Sequence, residues 1–175
     1  MKKIKKFEYI QKGSDLYRDN RGDIQNYKLT EKINLVATIT SKPNTLRSNH
    51  YHPIQQQKCL LVSGQYISIY KDLKKKNSSR ITHVVNEGDL VVTEPLVAHT
   101  MVFTKNSIFL NLVNGEREHK NYGKTHTIPI KLISDSEKNF LFNNYKFVCR
   151  ICNKNEFTRV ISLGFQPLAN NLYKN

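Results

Sequence analysis

The 175-residue chain has no tryptophan, three cysteines, seven glycines, five prolines, and half as many acidic as basic side chains. Each shortage excludes something. Three cysteines, one isolated and two in the run Cys149-Arg150-Ile151-Cys152, do not make the disulfide framework of a small secreted domain. With 38% hydrophobic and 24% charged residues the composition is that of an ordinary globular protein, neither collagenous nor largely disordered. No apolar run approaches the roughly 20 residues of a membrane-spanning helix. The charged start Met1–Lys6 has no apolar segment behind it, so neither membrane insertion nor a secretory signal is expected. The expectation is a cytoplasmic protein of one compact domain with a short appendage.

The surplus of bases, 28 Lys and Arg against 14 Asp and Glu, gives a formal net charge of +14. Twenty-one of the bases are Lys and only seven are Arg, whereas phosphate and base readers lean on the planar Arg fork. No nucleic-acid-binding motif is present and aromatics are not interleaved with Arg, so nucleic acid is not the expected partner. An anionic small substrate suits the same charge.

From Ile33 to Leu132 the pattern is one of short strands and turns. Ile33–Thr40 is β-branched, and Lys58–Tyr70 reads as two strands around Ser63-Gly64-Gln65, with Gly64 at a hairpin. In it Tyr66, Ser68 and Tyr70 alternate with Ile67 and Ile69. Ile81–Val85, Asp89–Thr93, His99–Phe103 and Ser107–Val113 continue the series. Such a series predicts an all-β sandwich or barrel over residues 1–133. The first 30 residues add an edge strand and a loop through Asp19–Asp23. Residues 134–146 read as a linker with a short helix capped by Ser134 or Asp135, and 147–175 as the start of another unit.

His50-Tyr51-His52 places two imidazoles on one strand face, because side chains alternate with period 2. Gln57, Gly64, Gly88, Pro95 and His99 follow at suggestive spacings. If His99 pairs across from His50 and His52, three imidazoles converge inside the barrel, a set that suits Fe, Zn, Ni or Mn. His83, His119 and His126 read as hydrogen-bonded core residues, and Cys59 as a packing residue. Arg47 is positioned either to clamp a phosphate or carboxylate at the barrel mouth or to form an exposed salt bridge. Lys58 and Tyr66 are candidate pocket-liners. The polar stretch Asn114–Thr127 either covers a barrel mouth or mediates dimer contacts.

These residues resemble the two sequence blocks of the cupin superfamily, in particular its RmlC-like sugar epimerase and isomerase type. His50, His52 and Gly64 match the first block, and Gly88, Pro95 and His99 the second, across roughly residues 33–115. The chain departs from the pattern at Gln57, where the family has glutamate, and at the missing leading glycine. It also carries one extra residue between Gly88 and Pro95, Val97 for a glycine and Phe103 for an asparagine. The resemblance implies a cupin double-stranded β-helix, a jelly-roll barrel, and a homodimer. It implies either a divalent metal on His50, His52, Gln57 and His99, or metal-free acid/base use of His50 and His52. A non-catalytic sugar-binding or assembly module is the third reading, favoured by Gln57. For an epimerase or keto-isomerase a return acid is needed, and Tyr66, Tyr122 and His126 are the candidates.

Cys149-x-x-Cys152 followed by Leu163-Gly164-Phe165-Gln166-Pro167-Leu168-Ala169-Asn170-Asn171 resembles the zinc-binding amino-terminal segment of the sugar C-methyltransferases, over about residues 147–173. The resemblance implies partial zinc ligands in Cys149 and Cys152 without a closing pair, and no methyltransferase activity. Together the two resemblances imply an isomerase or epimerase of a nucleotide-linked keto deoxysugar in surface-polysaccharide biosynthesis. The alternative is a metal-binding cupin of another class, a dioxygenase or small-molecule isomerase.

Overall fold

The computed structural model describes residues 8–114 and 127–144, all within the first of the two units into which the chain divides, Met1–Tyr145. The strands in chain order are β1 (Glu8–Gln11), β2 (Ser14–Asp19), β3 (Gly22–Asn26), β4 (Leu35–Ser41), β5 (Leu46–Tyr51) and β6 (Gln57–Ser63). They continue with β7 (Gln65–Asp72), β8 (Ile81–Asn86), β9 (Leu90–Thr93), β10 (Val97–Phe103), β11 (Ser107–Val113) and β12 (Ile128–Pro129), before the helix α1 (Asp135–Asn144). Ten strands make two five-stranded antiparallel sheets, ordered β1-β9-β6-β11-β4 and β12-β5-β10-β7-β8. The fold is the expected all-β jelly roll.

Alternation decides what lies between the sheets. Cys59 and Leu61 on β6, Val91 on β9 and Phe109 on β11 face Tyr66, Val85, Met101 and Phe103 of the second sheet. Burying each such side chain contributes roughly 1.5–3 kcal/mol. On β7 and β10 the other face is covered too. Ile67, Ile69, Ala98 and Val102 pack beneath Leu132, Ile133 and Leu141. Both strands therefore read as near-continuous apolar runs.

That outer layer is pinned at one residue. The register between β10 and β5 shifts between His99 and Thr100, because Asn49 is an extra residue in β5. Ser48 and Asn49 both have positive φ, 72° and 59°. Asn49 Oδ1 accepts from the Leu132 N–H at 3.0 Å and its carbonyl accepts from the Ile130 N–H at 2.9 Å. Its Nδ2 donates to the Ile133 carbonyl at 3.3 Å. Helix α1 then starts on a reciprocal cap. The Ser134 hydroxyl accepts from the Glu137 N–H, and the Glu137 carboxylate accepts from the Ser134 N–H at 2.9 Å.

Two expectations are corrected. Gly64 is not the turn of a hairpin: β6 and β7 belong to different sheets, so the chain rounds a corner there. With φ at 97°, and with Ser107 and the Asn106 backbone where a Cβ would stand, the position demands glycine. Period 2 predicts two adjacent strands but not whether they pair. The stretch Asp19–Asp23 is not an open loop but the turn of the β2–β3 hairpin, with Arg18 bonded to both carboxylate oxygens of Asp23. The helix expected after Ser134 is present, and β1 is the expected edge strand. Residues 147–175, with Cys149 and Cys152, lie outside the described residues, as do His119, Tyr122 and His126.

An Asn49→Gly variant keeps the permitted backbone but strips the side-chain bonds to Leu132 and Ile133. It should lose about 1–3 kcal/mol of stability, read as a lower denaturant midpoint at unchanged slope.

Candidate active site

The three motif histidines meet. His50, near the end of β5, pairs directly with His99 on β10, and His52 follows two residues on. Ring centroids are 4.8 Å apart for His50–His52 and for His50–His99, and 5.3 Å for His52–His99. Their nitrogen ligand atoms all lie within 4.8 Å of one another. His52 and His99 are buried and His50 is half-buried.

The tautomer of His99 follows from its partner. Its Nδ1 lies 3.1 Å from the Val97 carbonyl, which can only accept, so Nδ1 carries the proton. Nε2 then presents a lone pair, and this buried atom has no hydrogen-bond partner among the described residues. Burial, reinforced by the neighbouring His50 and His52, pushes the His99 pKa down to about 3, while Glu8 pulls the other way. His99 is therefore neutral at physiological pH. Three clustered imidazoles, one held in the ligating tautomer by a backbone carbonyl, form a donor set that fits a divalent transition metal.

The other sequence-selected residues fall in different places. Gln57 opens β6 on the same core-facing side as Cys59 and Leu61, paired with Thr93. Lys58 takes the opposite side of that strand and its Nζ meets Glu31 at 2.8 Å, so it points away from the interior the histidines share. Tyr66 packs among Cys59, Leu61 and Phe103 in the apolar core, and its register partner is Phe103 rather than His99. At about 3.3 Å per residue that places it some 13 Å along the strand from the imidazoles. Tyr70 is instead the tyrosine across from His99. Arg47 is exposed, with Nε on the Ser41 hydroxyl at 2.6 Å and Nη2 on the Thr40 carbonyl at 2.7 Å. It lines an open pocket with Lys42, Thr45, Asn106 and Ser107, a wall the histidines do not share.

A second polar group inside the barrel was missed. Glu8, on β1, is 2% exposed, and its carboxylate accepts from the Ser68 hydroxyl and from Thr93 Oγ1, the latter at 2.8 Å. His83 Nε2 lies 3.2 Å from Glu8 Oε1, within ion-pair distance though not aligned as a hydrogen bond. Burial pushes the Glu8 pKa up, but His83, the field of His99 and the Ser68 bond together hold it below the usual carboxylate value. His83 in turn packs its ring 5.3 Å from that of Tyr70. No spacing rule marks one Glu in a four-residue edge strand. Its partners come from β7, β8 and β9, all more than 50 residues away.

No protein-family model matches the chain, and no curated protein matches it in sequence. Solved structures do match in shape. A sugar 3,4-ketoisomerase from Thermoanaerobacterium thermosaccharolyticum, crystallised as a point mutant with TDP-4-keto-6-deoxyglucose, superposes with a TM-score of 0.58 at 14% identity, covering 78% of this chain and 92% of that one. A 3,4-ketoisomerase from Helicobacter canadensis gives 0.57 at 18% identity, covering 78% and 98%. The dTDP-4-dehydrorhamnose 3,5-epimerase from Sulfolobus tokodaii gives 0.55 at 14% identity, covering 70% and 81%. At these identities the likeness is one of fold: the chain has the cupin-type jelly roll that these sugar-nucleotide enzymes share.

Proposed function

We propose that this chain is an isomerase or epimerase of a nucleotide-linked keto deoxysugar. The observation that carries the reading is the convergence of His50, His52 and His99 in the interior of a jelly roll. The fold it has in common with ketoisomerases and epimerases supports the same reading. So do the net charge of +14, suited to a diphosphate, and the methyltransferase-like tail. The setting we infer is cytoplasmic polysaccharide precursor synthesis.

In the metal-free form of this reading His50 or His52 removes the proton next to the keto group. The C–H electron pair enters the carbonyl to give an enediolate, and a proton returns at the neighbouring carbon or on the other face. Neutral imidazole is the form that can accept that proton. A divalent ion (Fe, Zn, Ni or Mn) would be held by His50, His52 and His99, with Gln57 a neutral fourth candidate. Once bound it would stabilise negative charge on the enediolate oxygen. The third imidazole favours this metal-assisted form, whereas the loss of a carboxylate at Gln57 favours the metal-free one.

A homodimer is part of the proposal. Val36, Val62 and Ile108 are 57%, 45% and 41% exposed on the outer face of the first sheet. Exposed apolar side chains on one sheet face suit a second copy of the chain.

Incubated in deuterium oxide with TDP-4-keto-6-deoxyglucose, the protein should incorporate deuterium beside the keto group, and His50→Asn or His52→Asn should lower the rate about 100-fold or more. Metal analysis of the same preparation separates the two forms: about one equivalent, lost in His99→Ala, supports the metal-assisted one. Complete absence of exchange with every 4-keto nucleotide sugar tried would remove the isomerase reading.

His99 also fixes an acid response. Unfolded, it takes up a proton below its ordinary value of 6.5, while folded it refuses one down to about 3. The unfolded state therefore binds more protons through that window, and stability should fall as pH drops from 6.5 toward 3. Denaturant titrations with a chelator present should give His99→Gln a shallower slope of stability against pH. Light scattering should report a dimer for the natural chain and a monomer for Val62→Lys combined with Ile108→Lys.

A further inference from the structure

Where β7 gives way to the connection with β8, the chain runs Lys71-Asp72-Leu73-Lys74-Lys75-Lys76, four lysines in six residues. The backbone ties this turn to the histidines. The Leu73 N–H donates to the Leu96 carbonyl at 3.0 Å, and the Leu96 N–H donates to the His52 carbonyl at 2.8 Å. Along the β7–β10 ladder Tyr70 pairs with His99 and Asp72 with Val97. Lys74 therefore follows the His99 rung by four residues, at most about 14 Å of chain. Lys105 marks the other end of the same ladder, with its N–H 3.4 Å from the Gln65 carbonyl. From Gln65 to Asp72 the strand covers roughly 23 Å at 3.3 Å per residue.

The charges of this turn are lopsided. Lys74, Lys75 and Lys76 are all exposed. The Ser78 N–H donates to the Lys75 carbonyl at 3.2 Å and closes the turn. Asp72, the one acid between Lys71 and Arg80, is 3% exposed. Its Oδ1 accepts from the Lys74 N–H at 2.9 Å, which fixes where the lysine run begins. Arg80 is engaged elsewhere, with the Leu132 carbonyl and the Glu137 carboxylate at 2.9 Å each. Glu94, an acid at the same end of the barrel, accepts from Gln56 Nε2 at 2.8 Å.

We infer that the Lys74–Lys76 turn is a capture surface for the diphosphate end of a nucleotide, drawing the anion to the histidine end of the barrel without holding it once bound. The inference rests on the nucleotide-linked substrate proposed above and adds the residues that gather it. Exposed lysines suit the task, because a compact, strongly hydrated ammonium on a flexible stem acts as a point charge and not as a fixed clamp. At about 0.1 M salt such a charge is felt over about 10 Å, enough to act on an anion entering at this end and too little to reach it from Lys105. Charges at the rim of a site set the association rate and its salt dependence, whereas buried paired charges set dissociation.

Stopped-flow mixing of the full chain with TDP carrying a fluorophore on its sugar reads both rates. At about 0.1 M salt, Lys74→Gln combined with Lys76→Gln should lower the association rate constant at least about threefold and leave the dissociation rate constant within about 1.5-fold. At about 1 M salt, where the reach of a charge shrinks to about 3 Å, the variant and the natural chain should coincide. Lys105→Glu removes the same two units of charge at the other end of the ladder and should change association by less than about 1.5-fold. Equal falls in the two variants, or a fall in neither, overturn the inference, as does a change carried mainly by dissociation. TDP capture that follows this pattern in a chain showing no deuterium exchange leaves the inference standing and removes the isomerase reading. A natural chain that binds no TDP at any salt removes the nucleotide-linked substrate and this inference together.

Discussion

The meeting of His50 with His99 depends on one extra residue in β5. Side chains of paired strands alternate, and a slip of one residue exchanges the two faces of a strand. Arg47 pairs with the core-facing Met101, so regular alternation from Arg47 would place Asn49 inside and turn His50 outward, toward Leu132. The bulge at Ser48 and Asn49 absorbs that residue in two left-handed conformations and returns His50 to the interior. Non-glycine residues adopt such conformations at some cost. The four hydrogen bonds that Asn49 makes to residues 130–133 offset it, so the outer layer and the imidazole cluster are held by the same device.

The two open sides of the sandwich are closed by polar groups of opposite sign. Glu8 joins the β1 edge of the first sheet to β7 and β8 of the second. On the other side the Arg47 guanidinium joins β5 to Thr40 and Ser41 on β4. Glu8 is sealed from water and Arg47 is not, so the carboxylate acts at far lower effective dielectric than the guanidinium. His99, neutral at physiological pH, shares the interior with the Glu8 carboxylate.

The strands and the histidine blocks were legible in the sequence because both are local. β-branched runs and Gly or Pro breaks mark each strand, and His-x-His carries its own geometry. Which sheet a strand joins is not local, so Gly64 read as a hairpin when it is a corner. Alternation groups Tyr66 with Tyr70 on one face but does not say which end of the barrel each occupies. Tyr66 therefore sits with Phe103, and Tyr70 with His99. Lys58 and Gln57 adjoin in sequence and part to opposite sides of β6. Glu8 carried no signal at all, since its partners Ser68, His83 and Thr93 are brought to it only by the closed fold.

The segment between β12 and the end of α1 has a consequence for where this domain stops. Leu132, Ile133 and Leu141 roof the outer face of β7 and β10, and their backbone is moored to the residue beside His50. The compact unit accordingly includes the helix and runs to Tyr145 rather than stopping at the last strand. Recombination that exchanges whatever follows the helix would spare the histidines, whereas a splice upstream of it would unroof the sheet that carries two of them.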